Sequence, residues 1–462
     1  MKLKSFSLAL MVAMLASSCA NEEVIESNSD VRGNAIGFRP MVGHAKRSVE
    51  TTINNLGDFA VYAKGVHPQG ALYTSFLIGN EDGGEVAKFD KSEIVDGKGT
   101  WTLDRNVYWP SNMDHVLFWA YTTLQRDNNT NVSESSDKGT LSSGTISFDG
   151  NTGPQITGFE PAKADLTATS ETGIWQDGLN QKDLLIAFTS QDKNTGNTVG
   201  LNFKHALSQI NITAQQVNKA NNDHRIVKIK GAWIVNTKNK GNLSAGFSWD
   251  PDTHKATEKP EWTLDNTSAG HYGSYNKDQV GLDATAAKGL LGDGGNLMII
   301  PQTVSEYNGT DGDTGAYILL LCRVELKHAG DTHTGNDGDL GDIAIPGDGY
   351  HYHQQFPVTS AYNKEEYGFT CVKLNATWEM GKRYTYTLDI CGRESGAGVY
   401  PPEISNDMLN ELVPAGEQTN IIRTRPTDKK VGDPVLDEPI KFSVSVDDWS
   451  EDGEWKPGNG TF

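Results

Sequence analysis

Residues 383–390 read RYTYTLDI, and their side chains alternate strictly between polar and apolar. One face of this segment would carry Tyr384, Tyr386, Leu388 and Ile390, and the other face Arg383, Thr385, Thr387 and Asp389. Successive side chains of a β-strand point to opposite faces. The pattern therefore predicts a strand with one face in a core and the other in water.

The same alternation recurs along the chain, for example at 227–235 and 440–446. Two other runs, 116–121 (VLFWAY) and 317–322 (YILLLC), are apolar throughout, which is typical of strands that are covered on both faces. The segments between them are rich in Gly, Asn, Asp, Ser and Thr, as a fold with many turns requires. One short helix is expected at Glu403 to Leu412. The sequence therefore predicts an all-β sandwich protein.

The length of 462 residues allows two or three domains. We interpret the polar stretch 190–197 (SQDKNTGN) as the boundary, with an N-terminal β-sandwich at 48–195 and a C-terminal β-sandwich at 196–462. Each part is long enough for about seven strands. The predicted core residues of the second sandwich are Leu201, Phe203, Trp233, Tyr384 and Leu388.

The amino-terminal segment has the features of an export signal. A short basic segment precedes the apolar run Phe6 to Leu15, and Ala16-Ser17-Ser18 stand directly before Cys19. This order is typical of a secretory signal. A cysteine at this position resembles the lipobox of bacterial lipoproteins, so we expect removal of residues 1–18 and acylation of Cys19. The alternative is an ordinary signal peptide that happens to be followed by a cysteine.

Charge and cysteine content restrict the partners and the redox chemistry. The formal net charge is −20, and it becomes −22 once the two lysines of the leader are removed, since 38 basic side chains then face 60 acidic ones. Such a surface repels phosphate backbones, so nucleic acid is not expected as a partner. Beyond the leader only Cys322, Cys371 and Cys391 remain, and an odd number predicts no disulfide framework. Whether two of them pair is left open.

Motifs for catalysis were not found, and we expect neither an enzyme nor a cofactor. The sequence has no G-x-S-x-G, no H-E-x-x-H and no phosphate-binding glycine loop. His351 and His353 would point to one side of a strand, but no fixed third ligand accompanies them, so no metal site is predicted. His205, beside Phe203 and Leu207, is interpreted as a packed strand residue and not as a catalyst.

Eight segments, together with the leader, resemble a known family. They are 56–63 (LGDFAVYA), 108–110 (YWP), 117–121 (LFWAY), 183–187 (DLLIA), 201–207 (LNFKHAL), 298–302 (MIIPQ), 378–386 (WEMGKRYTY) and 444–449 (VSVDDW). In this order they are similar to the fimbrillins, the pilins of Bacteroidia. The resemblance implies two tandem transthyretin-like β-sandwich domains after a lipoprotein signal peptide.

The resemblance also implies a function and a location. Fimbrillins reach the outer membrane as lipoproteins and form surface pili, so the implied partners are other pilin subunits, the membrane and a host or bacterial surface ligand. In subunits that polymerise, a trypsin-like protease cuts after an arginine and removes the first strand, and a neighbour's strand fills the groove. Anchor subunits keep both the lipid and the first strand. We therefore interpret residues 19–47 as a tether with a removable first strand.

Two parts of this chain fit that scheme. Ile36 and Phe38 alternate with less apolar residues, which predicts a short inward-facing strand at 34–39. Arg47, in the polar segment behind it, is the preferred cleavage site, although it would also suit an ordinary solvated loop. The alternative cleavage sites are Arg32 and Arg39.

The last predicted strand offers an apolar row that suits a donor strand. The row consists of Ile440, Phe442, Val444 and Val446. It would fill a neighbour's groove or, alternatively, form the last strand of the chain's own second sandwich. The main rival function is that of a surface glycan-binding lipoprotein, which would bind sugars on exposed Trp and Tyr side chains.

Overall fold

A computed structural model describes most of the chain from residue 35 onward. The described residues are 35–42, 56–95, 98–124, 126–127, 131–132, 141–192, 197–217, 225–292, 295–310, 312–329, 342–344 and 349–449. Cys19, Arg32 and Arg47 lie outside these ranges. No helix in the described ranges is long and apolar enough to cross a membrane.

Strands dominate the structure, which confirms the all-β prediction. The strands of the first half are β1 Gly37–Val42, β2 Phe59–Val66, β3 Leu72–Ile78, β4 Glu85–Val95, β5 Lys98–Thr102, β6 His115–Thr122, β7 Arg126–Asp127, β8 Asn131–Val132, β9 Thr145–Asp149, β10 Gly153–Phe159, β11 Ile174–Gln176, β12 Leu185–Asp192 and β13 Thr198–His205. Those that follow are β14 Ser208–Gln215, β15 Arg225–Thr237, β16 Gly241–Asp250, β17 Lys255–Leu264, β18 Gly270–Gly281, β19 Lys288–Gly289, β20 Leu297–Ile299, β21 Gln302–Val304, β22 Tyr317–Ala329, β23 Asp342–Ala344, β24 Tyr350–Phe356, β25 Tyr367–Lys373, β26 Ala376–Trp378, β27 Lys382–Asp389, β28 Ile421–Ile422 and β29 Lys441–Asp448.

The described helices are short. They are α1 Asp177–Asn180, α2 Asn406–Leu412 and a 3-10 turn at Ala415–Glu417. Helix α2 confirms the helix expected near this position. It begins later than expected because Ser405 is its N-cap, whose hydroxyl oxygen accepts a hydrogen bond from the Met408 N–H at 3.1 Å.

The first sheet closes on itself like a barrel. Its strand order is β3-β2-β4-β5-β1-β13-β12-β6, and β6 also pairs with β2. Phe59, Phe118 and Phe203 fill its interior. On the outer side, Tyr62 and Trp119 pack under a second sheet of order β17-β16-β10-β9. The run 116–121 is thus covered on both faces, as predicted.

The later part of the chain forms two facing sheets. One has the order β11-β18-β15-β22-β24-β23, with β25 also on β22, and the other has the order β19-β14-β27-β29, with β20 on β14. Ile318 and Leu320 of β22 face the core between these sheets. Leu319 and Leu321 face a further cluster that α2 covers. The run 317–322 is therefore also buried on both sides, as predicted.

The prediction for Leu201 and Phe203 was wrong. Both are buried, but β13 lies between β1 and β12, so they belong to the core of the first sheet. Strands β12 and β13, which flank residues 193–196, pair antiparallel in one sheet. Trp233, Tyr384 and Leu388 are buried in the later part of the chain, as predicted.

Strands on either side of the expected boundary also pair with one another. Strand β10 pairs with β16, and β11 pairs with β18, although β10 and β11 precede residue 196. The division into two sandwiches at this point stays a prediction.

The three cysteines in the described ranges are free thiols. Cys322, Cys371 and Cys391 are all buried, so no disulfide links the described part of the chain. Their placement in apolar clusters suits their role as small core residues.

Candidate functional site: the first and last strands

Strand β1 is paired unequally on its two sides. On one side it runs parallel to β13 through six residue pairs, from Gly37–Thr198 to Val42–Phe203. On the other side it meets β5 at a single pair, Phe38–Trp101. Because a strand is held by its ladder of backbone hydrogen bonds, β1 is firmly attached along one edge only.

The side chains of β1 nevertheless belong to the core. Ile36, Phe38, Pro40 and Val42 are buried. The structure thus has an inward-facing strand where one was predicted, although it runs from Gly37 to Val42 and not over 34–39. Pro40 lacks an N–H group, so the strand has one donor fewer for a ladder.

The alternative cleavage site Arg39 lies in the middle of β1. Its side chain is half-buried, and Phe38 and Pro40 on either side of it are buried. A protease binds its substrate as an exposed segment, so a cut at Arg39 would first require β1 to leave the barrel. Arg32 and the preferred site Arg47 lie outside the described residues, so their accessibility stays a prediction.

Strand β29 lies at the edge of its sheet. It pairs antiparallel with β27 through eight residue pairs, from Lys382–Asp448 to Asp389–Lys441. Among the described strands, none pairs with its other edge. It is therefore the last strand of the chain's own sheet in this structure, and its free edge is available for pairing.

The residues of the predicted donor row become more exposed to solvent along β29. Ile440 is buried and Phe442 is half-buried, with its ring centroid 6.0 Å from that of Tyr386. Val444 and Val446 are 43% and 54% exposed. These valines lie opposite the buried Tyr386 and Tyr384, so they share the core-facing side of the sheet but project beyond the core.

The end of β29 is fixed by a residue that the sequence analysis treated only as part of a motif. Trp449 is 2% exposed, and its N–H donates to the Gly381 carbonyl at 2.8 Å. Its indole stacks on the His205 imidazole, with ring centroids 4.0 Å apart and planes at 7°. His205 is a packed strand residue, as predicted. The contact gave no signal in the sequence because the two residues lie far apart in the chain.

The remaining titratable clusters do not build a metal centre. In the ranges that the structure covers, no group of three or more His, Cys, Asp or Glu side chains is arranged to hold a metal ion. His351 is buried and His353 is half-buried in β24, where they alternate with Tyr352.

The comparison with protein families identifies the chain. The family model described as fimbrillin-like matches residues 76–397. The chain belongs to the fimbrillin-like family. Membership supports a pilus-related adhesion protein with a surface location, and it suggests a structural role.

Solved structures from Bacteroides species are among the matches to this chain. A fimbrial protein from Bacteroides vulgatus ATCC 8482 has 16% sequence identity and a TM-score of 0.45, over 90% of this fimbrillin-like chain and 99% of the other. A candidate cell adhesion protein from Bacteroides uniformis ATCC 8492 has 11% identity and a TM-score of 0.34, also over 90% and 99%. No curated protein matches the sequence. Family membership therefore rests on the family model.

Proposed function

We propose that this fimbrillin-like protein is a structural subunit, or the precursor of one, of a bacterial surface pilus. It is exported as a lipoprotein through Cys19, reaches the outer membrane, and assembles with other pilin subunits by strand exchange. It carries out no catalysis and mediates adhesion to a host or bacterial surface ligand. The observation that carries this proposal is the placement of β1, which fills the core of the first sheet while pairing with β13 through six residue pairs and with β5 through only one.

Removal of β1 would leave a groove with a defined shape. The groove would expose Phe59, which packs against Phe38, and Phe203, which packs against Phe59, together with the unpaired edge of β13. Uncovered apolar surface and free backbone groups strongly favour replacement by another extended strand. A strand with alternating apolar residues, such as β29 of a neighbouring copy, has the required pattern.

Electrostatics does not drive this assembly. Residues 20–47 carry four acidic and four basic side chains, so their removal leaves the net charge at −22. Copies of the chain therefore repel one another before and after cleavage. Strand pairing and apolar burial must overcome that repulsion, and moderate salt should help by screening it.

Limited proteolysis followed by an assembly assay tests the proposal. Trypsin should cut the purified precursor near Arg47 before it cuts the sheets, release residues 20–47, and yield polymers at high concentration in moderate salt. A Lys46→Gln, Arg47→Gln double variant is the control and should stay intact at this position and monomeric. Cut protein that stays monomeric would instead indicate an anchor subunit, a tip subunit or a glycan binder.

Metabolic labelling tests the lipid anchor separately. A palmitate analogue should label the wild-type protein in cells and should not label the Cys19→Ala variant. Two or more acyl chains would hold the protein stably at a membrane. Equal labelling of both proteins would contradict acylation of Cys19.

The glycan-binding alternative depends on exposed aromatic side chains. Sugar-binding surfaces present exposed aromatic faces, especially of tryptophan. Among the described residues, the exposed large apolar side chains include no tryptophan but do include Tyr108 and Tyr350.

A further inference from the structure

Burial is concentrated at the two ends of β29. Ile440, just before the strand, and Trp449, just after it, are buried, whereas every residue from Ser443 to Asp448 is exposed. The middle of the strand is held mainly by its backbone ladder with β27. Since buried apolar area is the main source of stabilisation, the end contacts decide how firmly the strand stays in place.

Trp449 connects β29 to a different part of the molecule. It packs in the cluster on the outer face of the first sheet, with Leu207, Met298 and Ile300, and not in the core beneath β27. The Gly381 turn links the two parts, because the Gly381 carbonyl accepts from the Trp449 N–H and the Gly381 N–H donates to the Leu207 carbonyl at 3.0 Å. Trp449 thus fixes the end of an edge strand to a neighbouring layer.

The surface that receives the indole is rigid. His205 ends β13, and its Nδ1 lies 2.7 Å from Oδ2 of Asp183, with both side chains buried. This hydrogen bond fixes the imidazole plane on which the indole stacks. A flat, prepared stacking surface lowers the entropic cost of placing Trp449.

We propose that Trp449, His205 and Asp183 form a C-terminal latch that holds β29 on its own subunit, and that release of the latch makes β29 available to a second copy of this chain. The statement about availability rests on the proposed function, whereas the statement about retention concerns the monomer alone. The exposed Val444 and Val446 contribute little to retention. Opening of the latch therefore frees the C-terminal end of β29, while Ile440 still holds its N-terminal end.

Hydrogen exchange of the full-length precursor tests the retention. In Trp449→Ala, the amides of residues 441–448 should exchange at least about tenfold faster than in the wild type, while protection in β14 and β15 should be unchanged. Trp233→Ala is the matched control, because Trp233 is buried to a similar extent in a cluster that does not contact β29. In this control, the protection of β29 compared with that of the other strands of its sheet should be the same as in the wild type. If the β29 amides of Trp449→Ala exchange at the wild-type rate, the latch proposal is wrong.

Two variants of one residue isolate the stacking contact. His205→Phe and His205→Ala both remove the hydrogen bond to Asp183, but His205→Phe keeps an aromatic ring under the indole. Exchange of β29 should be faster in His205→Ala than in His205→Phe by about tenfold. Equal exchange in the two variants would overturn the role of stacking, and it does so even if Trp449→Ala fails to fold.

Assembly of the cleaved protein separates the latch from the proposed function. Cleaved Trp449→Ala should form polymers faster than the cleaved wild type. If β29 exchanges faster in the variant but neither cleaved protein polymerises, the latch stands and strand exchange between copies is wrong. If both polymerise at one rate despite faster exchange of β29 in the variant, release of the latch does not control assembly and that part of the inference fails.

Discussion

Phe38 meets Phe59 edge-on inside the first barrel, with ring centroids 6.2 Å apart and ring planes at 81°. This contact joins the loosely paired first strand to the centre of the sheet. Phe38→Ala should lower the free energy of unfolding by about 3–5 kcal/mol, because the side chain is 3% exposed and its removal leaves a cavity. Urea denaturation measures the change. Tyr108→Ala, at a residue that is 53% exposed, should change it by less than about 0.5 kcal/mol, and equal effects would contradict the placement of β1.

Val444→Asp should block polymer formation with little effect on the monomer. The side chain is exposed at the edge strand, so the free energy of unfolding should change by about 0.5 kcal/mol or less. In a neighbour's apolar groove, the same carboxylate would have no partner. Ser445→Asp adds an equal charge to the opposite face of β29 and should allow assembly. Light scattering of the cleaved variants measures the difference, and similar polymer yields would refute the donor row.

The thiols of the folded protein should not react with alkylating agents. Burial raises the pKa of Cys322 and of Cys371, so the reactive thiolate form is suppressed. In a Cys19→Ala precursor, mass spectrometry should find no alkylation under native conditions and three alkylated residues in urea. Rapid labelling under native conditions would contradict the burial of the cysteine that reacts.

Asp177 should give stability a distinctive pH dependence. Burial raises the pKa of this carboxyl to about 6, against the effect of hydrogen bonds from the Ala164 and Gly273 N–H groups at 2.7 Å. The folded state then binds more protons than the unfolded state between about pH 4 and pH 6, so the free energy of unfolding falls as the pH rises through this window. The free energy of unfolding of the wild type minus that of Asp177→Asn should therefore be larger at pH 4 than at pH 7.

Asp165 provides a control of opposite sign. A hydrogen bond from the Thr167 hydroxyl and another from its N–H lower the pKa of Asp165, so its contribution to stability is present at neutral pH and is lost as the pH falls below about 4. The free energy of unfolding of the wild type, relative to that of Asp165→Asn, should therefore fall as the pH is lowered. The same pH dependence for both positions would contradict the burial of Asp177.

Local pattern was enough to predict much of the fold. The alternating run 383–390 is a half-buried strand, and the runs 116–121 and 317–322 are strands covered on both faces. These predictions depend on the period of the side chains along one strand, which neighbouring residues determine. The inward strand around Phe38 was predicted on the same basis.

Pairing between distant strands could not be predicted in this way. The polar stretch 190–197 has the composition of a linker, and alternation along one strand does not reveal that β12 and β13, which flank residues 193–196, pair with each other or that β13 pairs with β1. The exposure of Val444 and Val446 could not be predicted either, because alternation assigns a side chain to one face of a strand and does not show where the opposing layer ends. The stack of Trp449 on His205 depends on the same long-range arrangement.

The parallel pairing of β1 with β13 has a consequence for the timing of folding. About 150 residues lie between Val42 and Thr198, and closing so long a loop carries a large entropic cost before any contact repays it. We therefore expect the barrel to close late, after β13 has paired with β12. Until then its interior would be open, and under the proposed strand exchange the chain's own first strand and a strand from another molecule would compete for the same place. Which one occupies it depends on the order of arrival as well as on fit.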